Sequence, residues 1–138
     1  MVYSKNFTNY LIIIALGLVV GGCATTHEHQ IIRSGAVRLG ASDILERYIG
    51  NTLSGTTPDG AVFDVYVASQ QNFLMQFQGE ISTGTWRVDD SGRFCGRIGD
   101  DDEFCSHEYL SGGKIASIND DGSLAGTARI LAGNPKGL

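Results

Sequence analysis

The stretch from Thr83 to Leu110 reads TGTWRVDDSGRFCGRIGDDDEFCSHEYL, and two turn signals divide it into three short runs that contain apolar residues. The signals are residues 89–92 and 99–102, which are rich in Asp and Gly and therefore favour tight turns. Turn signals spaced by about 8 to 12 residues are typical of an antiparallel sandwich or barrel. We therefore predict three consecutive antiparallel strands in this stretch.

The second hairpin of this stretch carries two cysteines. If the hairpin turns at Asp100, Cys95 faces Cys105. Arg97 then faces Glu103, which agrees with the same register. Opposed residues have Cβ atoms about 4.5 to 5.5 Å apart or closer, near the range that a disulfide needs. The sequence predicts a Cys95–Cys105 disulfide. A redox pair is the alternative, but the Cys-x-x-Cys spacing is missing.

The same pattern continues on both sides of this stretch. Apolar residues alternate along each short run, as they do in a strand that buries one face. We predict an all-β fold with one short N-terminal helix: a small antiparallel meander, closed or nearly closed into an eight-stranded barrel, because closure removes strand edges. The predicted strands are 53–56, 62–68, 73–78, 83–88, 93–98, 103–110, 114–118 and 123–131.

The short helix is predicted over residues 42–50. Asp43 and Glu46 have the spacing of a capping box, and Gly50 lies where a glycine commonly ends a helix. The apolar stripe of this helix would plug or cover the sheet. Trp86, the single tryptophan, lies on an alternating strand and is predicted to be a core residue.

The N-terminal segment has the pattern of an export signal. Ten consecutive apolar residues, from Leu11 to Val20, follow a polar start whose one cation is Lys5. A helix that spans a bilayer needs about 20 apolar residues, so this run has the length of a signal-peptide core instead. The sequence Val20-Gly21-Gly22-Cys23 follows and resembles the lipobox of bacterial lipoproteins.

This resemblance implies that residues 1–22 are a lipoprotein signal peptide and that Cys23 is the lipidation site. The thiol would receive a diacylglycerol and the new amine an acyl chain such as palmitate, and two or more chains give stable anchoring. The membrane is therefore one expected partner. By the same resemblance, an acidic residue directly after the Cys is associated with retention at the inner membrane, and Ala24 is not acidic. The outer membrane is therefore favoured, with the domain facing the periplasm. An ordinary secretory signal is the alternative.

The sequence divides the exported part into two regions. Residues 23–40 are predicted to be the lipidated Cys and a flexible tether. The first half of this segment is polar, and its apolar residues show no helical or strand periodicity. His27-Glu28-His29 has imidazoles that could contribute to a metal site, but a solvated tether is the interpretation we favour. Residues 41–138 are predicted to be a single β-rich globular domain.

Composition and motifs argue against several kinds of chemistry. The chain has 10 basic and 15 acidic residues, and its cations are scattered, whereas nucleic-acid binding needs them clustered. His107 is the one histidine beyond the tether, and no serine has a nucleophile-elbow context. The acidic run 100–103 lacks the spacing of a calcium loop. We predict no catalytic residue, metal ligand, cofactor or nucleic-acid partner.

Several short motifs, in this order, resemble a group of small exported bacterial domains. The resemblance covers residues 45–138 and implies a fold and a location in the cell envelope. It implies no functional site, since these domains have no settled activity. Residues 69–72 depart from the pattern, because an Asp-Gly turn is usual there. The matching motifs are 50–55, the G-T-W strand 84–88, the segment 92–95 with Cys105, and the closing Gly133-Asn134-Pro135.

Two classes of function are compatible with these observations. The first is a non-enzymatic binding or structural module at the cell envelope, whose partner would be an unknown protein, glycan or small molecule. The alternative is an inhibitor of a cell-wall hydrolase, because small lipid-anchored β-barrels with one disulfide include periplasmic lysozyme inhibitors. Residues 109–114, YLSGGK, resemble the Ser-Gly loop of those inhibitors but lack its following tyrosine.

Overall fold

The computed structural model describes residues 26–138, so the predicted signal segment and Cys23 lie outside the described residues. Two helices and nine strands are found within this range. In chain order they are α1 (His27–Arg33), β1 (Val37–Arg38), α2 (Ala41–Tyr48), β2 (Thr52–Thr56), β3 (Val62–Val67), β4 (Asn72–Phe77), β5 (Glu80–Val88), β6 (Phe94–Ile98), β7 (Phe104–Ser111), β8 (Lys114–Ile118) and β9 (Leu124–Leu131).

Strands β2 to β9 form a closed antiparallel barrel. Each strand pairs with the next along the chain, and β9 returns to pair with β2, where Leu53 lies opposite Ile130. The predicted meander and its closure into eight strands are confirmed. Closure gives every barrel strand two neighbours, so side chains alternate between one interior and one outer surface.

Residues 27–40 are structured, in contrast to the flexible tether that we predicted. β1 pairs with the second half of β7, where Arg38 lies opposite Tyr109. In α1, the backbone N–H of Glu28 donates to the carbonyl of Gly122 at 3.2 Å, and the Glu28 carboxylate accepts from Tyr109 Oη at 2.6 Å. Leu39 is buried. These contacts join residues far apart in sequence, so local polarity could not reveal them.

The helix α2 delivers Ile44 and Tyr48 to the core of the barrel, which confirms the predicted contact between helix and sheet. Its start differs from the prediction. The backbone N–H of Gly40 donates to Asp43 Oδ2 at 3.1 Å, so Asp43 caps the helix from its third position instead of opening a capping box. Gly50 adopts a left-handed conformation just after the helix, as predicted.

Two strand glycines make room for aromatic rings inside the barrel. Gly84 lies opposite Phe73, and a Cβ atom at Gly84 would lie 2.1 Å from Phe73 Cζ. Gly96 lies opposite Phe104, and a Cβ atom there would lie 2.6 Å from Phe104 Cζ. Both distances are far below van der Waals contact. The glycine of the G-T-W strand is therefore required by ring packing.

One turn differs from the sequence-based prediction, and the predicted turn at residues 69–72 forms without an Asp-Gly pair. Gln78 and Gly79 form a two-residue turn with positive φ at both positions, so β5 begins at Glu80 and not at Thr83. Positive φ is uncommon for a residue such as Gln, and the usual signal was therefore missing. Between β3 and β4, Ser69 Oγ accepts from two backbone N–H groups and replaces the Asp-Gly turn.

The barrel and the segment that precedes it share one hydrophobic core within residues 26–138. The core cluster combines buried residues from α2 and from the strands, and the partly buried residues that pack on it extend to Ile130. Since the barrel is closed, its stability requires no strand from elsewhere. None of the helices within the described range is long and apolar enough to cross a membrane.

Candidate functional site

The cysteine hairpin has the predicted bond but not the predicted ion pair. Cys95 lies opposite Cys105 and the two form a disulfide, with Cα atoms 4.1 Å apart. The disulfide prediction is therefore confirmed. Glu103 pairs with Arg87 at 2.7 Å and not with Arg97, because the pairing of β6 with β7 ends before that position. The register of the hairpin agrees with the sequence only near the disulfide.

The bonded cysteines also form part of a cluster of metal-ligating residue types. Asp89 brings a carboxylate close to both sulfurs, and this is the one such group of three found within residues 26–138. The sulfurs are bonded to each other, so neither can act as a thiolate ligand. The cluster is therefore a structural feature of the hairpin.

His107 lies on the outer side of β7. Its Nδ1 atom is 2.7 Å from Nη2 of Arg38. Burial lowers the pKa of the imidazole, and the charge of Arg38 lowers it further. The neighbouring Ser106 is directed to the opposite side of the strand, where it contacts Glu108. The structure therefore does not bring His107 together with this serine.

The segment that resembles an inhibitor loop is a tight hairpin. Residues 109–114 end β7 and begin β8, and Ser111 lies opposite Lys114. Gly112 and Gly113 both have positive φ, as a two-residue hairpin turn requires. A turn of this length projects little from the barrel. Inhibition of a hydrolase by this segment stays a prediction.

The interior of the barrel contains a cavity of about 190 Å³. Apolar side chains dominate its wall, and Phe104, which is 47% exposed, is one of the lining residues. An apolar cavity of about 150 Å³ is large enough to bind benzene or xenon. The apolar lining includes Leu53, Phe63, Val65, Val67, Phe73 and Met75.

Four polar side chains meet in one part of the cavity wall. Glu108 on β7 faces the interior and is only 2% exposed. Its Oε2 atom accepts hydrogen bonds from Tyr48 Oη at 2.6 Å and from Ser117 Oγ at 2.9 Å. Its Oε1 atom accepts one from Ser106 Oγ at 2.6 Å. These residues, which we call the Glu108 cluster, join α2, β7 and β8 inside the barrel.

The electrostatics of the Glu108 cluster are set by burial. Burial raises the pKa of the Glu108 carboxyl, while hydrogen bonds from Ser106, Tyr48 and Ser117 act in the opposite direction. Burial also raises the pKa of Tyr48 well above its ordinary value, and the charge of Glu108 raises it further. The ion pairs that form within residues 26–138 do not include Glu108. This carboxyl is therefore held by neutral donors.

Glu108 was not among the predicted site residues, although the chain contains a signal for it. The disulfide places Cys105 on one side of β7, so a residue three positions later lies on the other side. That side also carries Phe104 and Leu110, which are apolar. An acidic residue between apolar inward positions indicates a buried carboxyl, and such groups are unusual unless they are paired or functional.

We expect Glu108 to make stability depend on pH. A raised pKa in the folded state means that the stabilisation is complete below the unfolded pKa of about 4.3 and is lost as pH rises through the folded pKa. The free energy of unfolding of the wild type should therefore fall with pH relative to Glu108→Gln. Urea denaturation of both proteins from about pH 4 to 8 measures this. Parallel curves would show that the carboxyl is not perturbed by burial.

Comparisons of the chain with models of protein families, with curated proteins and with solved structures gave no match. The cavity and the Glu108 cluster are therefore the features of the described residues from which we infer a function.

Proposed function

We propose that this chain is a lipid-anchored protein of the cell envelope whose barrel binds a small, largely apolar molecule in its interior without catalysing a reaction. The observation that carries the proposal is the mainly apolar cavity of about 190 Å³ with the Glu108 cluster in its wall. Ligand sites in proteins are mainly apolar with a few placed polar groups. An eight-stranded barrel is wide enough to hold one small ligand.

Small residues on β9 help to keep this space open. Ala125, Gly126 and Ala128 all line the cavity, so this part of the wall has no long side chain. Protein interiors are otherwise close-packed, and atoms beside a cavity lose attractive contacts. A ligand that occupies the cavity would restore these contacts and stabilise the barrel.

The proposed lipid anchor would lie close to the barrel. Thr26 is the third residue after Cys23, so the two are at most about 11 Å apart. Thr26 lies beside the β8–β9 turn, since a Cβ atom at Gly122 would lie 3.0 Å from Thr26 Cβ. A lipid on Cys23 would therefore hold that turn near the membrane surface.

Replacement of Cys23 by Ser should abolish lipid attachment, because only the thiol accepts the diacylglycerol. We expect the wild-type protein to incorporate labelled palmitate and to fractionate with the outer membrane, and the variant to do neither. Intact mass spectrometry of the wild-type protein provides the direct measurement. An unmodified thiol at Cys23 would contradict the proposed anchor.

Filling the cavity should abolish binding. Toluene is a suitable probe because its single ring fits the cavity volume, and we expect it to raise the melting temperature of residues 26–138. Ala128→Leu extends a branched side chain into the cavity and should remove this shift. Ala116→Leu introduces the same side chain on β8, at a residue outside the cavity lining, and should keep the shift.

The toluene titration has a clear opposing outcome. If toluene leaves the melting temperature of the wild type unchanged at saturating concentration, the cavity does not accept a ligand of this size. An equal shift in wild type and Ala128→Leu would place the binding site elsewhere on the protein. Either result would overturn the proposed function.

A further inference from the structure

We propose that the molecule bound in the barrel is a small apolar amine, whose ammonium group pairs with the carboxylate of Glu108. The inference rests on the proposed function, because it requires that the cavity binds a ligand. It adds the chemical class of that ligand.

The carboxylate of Glu108 can accept one more hydrogen bond. Its two oxygens together offer about four acceptor positions. Tyr48, Ser106 and Ser117 fill three of them, and Oε1 receives only the bond from Ser106. All four side chains line the cavity, so a donor placed in the cavity can reach the remaining position.

In its ionised form, the Glu108 carboxylate also lacks a cation within residues 26–138. Arg87, Arg93 and Lys136 make the ion pairs found there, all of them with other acids. A carboxylate that is buried without a cation is costly, whereas a buried ion pair with good hydrogen bonds is tolerated. A ligand ammonium would supply both the charge and a short, charge-assisted hydrogen bond. A ligand carboxylate would instead bring two negative charges together.

The rest of the cavity wall determines the chemical character of the ligand beyond its ammonium group. Phe63, Phe73 and Met75 present hydrocarbon and sulfur to the cavity, so most of the rest of the ligand must be apolar. By comparison with a cavity of about 150 Å³ that accepts benzene, about six to eight carbon atoms fit here. Both a short alkyl chain and a single aromatic ring meet this limit.

Three six-carbon molecules that differ only in their polar group test the inference. We would titrate residues 26–138 with hexylamine, 1-hexanol and hexanoate at pH 7 by calorimetry, with toluene as a reference that has no polar group. The wild type should bind hexylamine about tenfold more tightly than 1-hexanol, and hexanoate most weakly, since a charge-assisted bond is stronger than a neutral one. Glu108→Gln should lose about tenfold in hexylamine affinity and retain its affinity for toluene.

The outcomes separate the inference from the proposed function. If toluene and 1-hexanol bind but hexylamine has no advantage, or if Glu108→Gln keeps the advantage, the amine assignment is wrong while interior binding stands. If none of the four molecules binds, interior binding itself is wrong. If Glu108→Gln does not fold, Ser117→Ala takes its place. That variant keeps the carboxylate and frees an acceptor on Oε2, so loss of its hexylamine preference would overturn the assignment.

Discussion

Trp86→Ala should lower the free energy of unfolding by about 3 to 5 kcal/mol, the usual cost of truncating a buried aromatic residue. Trp86 is 5% exposed, and its ring stacks on Phe94 with centroids 5.4 Å apart. Its Nε1–H donates to the carbonyl of Ser69 at 2.8 Å, which anchors the β3–β4 turn. The substitution would therefore leave a hole in the core and an unpaired carbonyl. Urea denaturation measures the loss.

A control on the same strand makes this test specific. Ile81 is on β5 like Trp86 but is exposed, so Ile81→Ala should change the stability by less than about 0.5 kcal/mol. If Trp86→Ala unfolds at the wild-type denaturant concentration and Trp86 has the fluorescence of an indole in water, the assignment of Trp86 to the core is wrong.

Reduction of the disulfide should have the second-largest effect. Cys95 and Cys105 are ten residues apart, and closing a loop of this length stabilises a fold by roughly 3 kcal/mol in the chain-entropy model. Small domains have about 5 to 15 kcal/mol of stability, so the barrel should stay folded while its melting temperature falls by several degrees. Thermal unfolding with and without a reductant gives the measurement.

The double variant Cys95→Ala/Cys105→Ala provides the matched control. It should melt near the reduced wild type, and a reductant should not change its melting temperature. Non-reducing peptide mapping of the exported protein should recover the two cysteines as one linked pair. Free thiols at both positions in that protein would contradict the hairpin register.

The strands of the barrel could be predicted from sequence because their signals are local. Alternating apolar residues and Gly- or Asp-rich turns lie next to each other in the chain, and they place most of the strands within a residue or two. The disulfide followed from the same register. The ion pair of Glu103 could not be predicted in this way, because its partner Arg87 lies on β5. A contact between side chains of strands that are not direct neighbours depends on how the sheet twists.

The structure of the N-terminal segment and that of the candidate site could not be predicted from local sequence signals. The contacts of Glu28 and Arg38 with β7 join residues about 70 to 80 positions apart, so a polar segment that looks like a tether is fixed to the barrel. The Glu108 cluster likewise needs three elements to meet. Its carboxyl could be assigned to the interior from the cysteine register, but Tyr48 and Ser117 as donors could not be predicted before the fold was known.

A crystal structure of residues 26–138 grown with toluene would show directly whether the interior of the barrel binds a ligand. We expect density for one ring inside the barrel, in contact with Phe63 and Met75 and beside the Glu108 cluster, with the strand register unchanged. Density for toluene only on the outer surface, with interior side chains closed over the cavity, would contradict it.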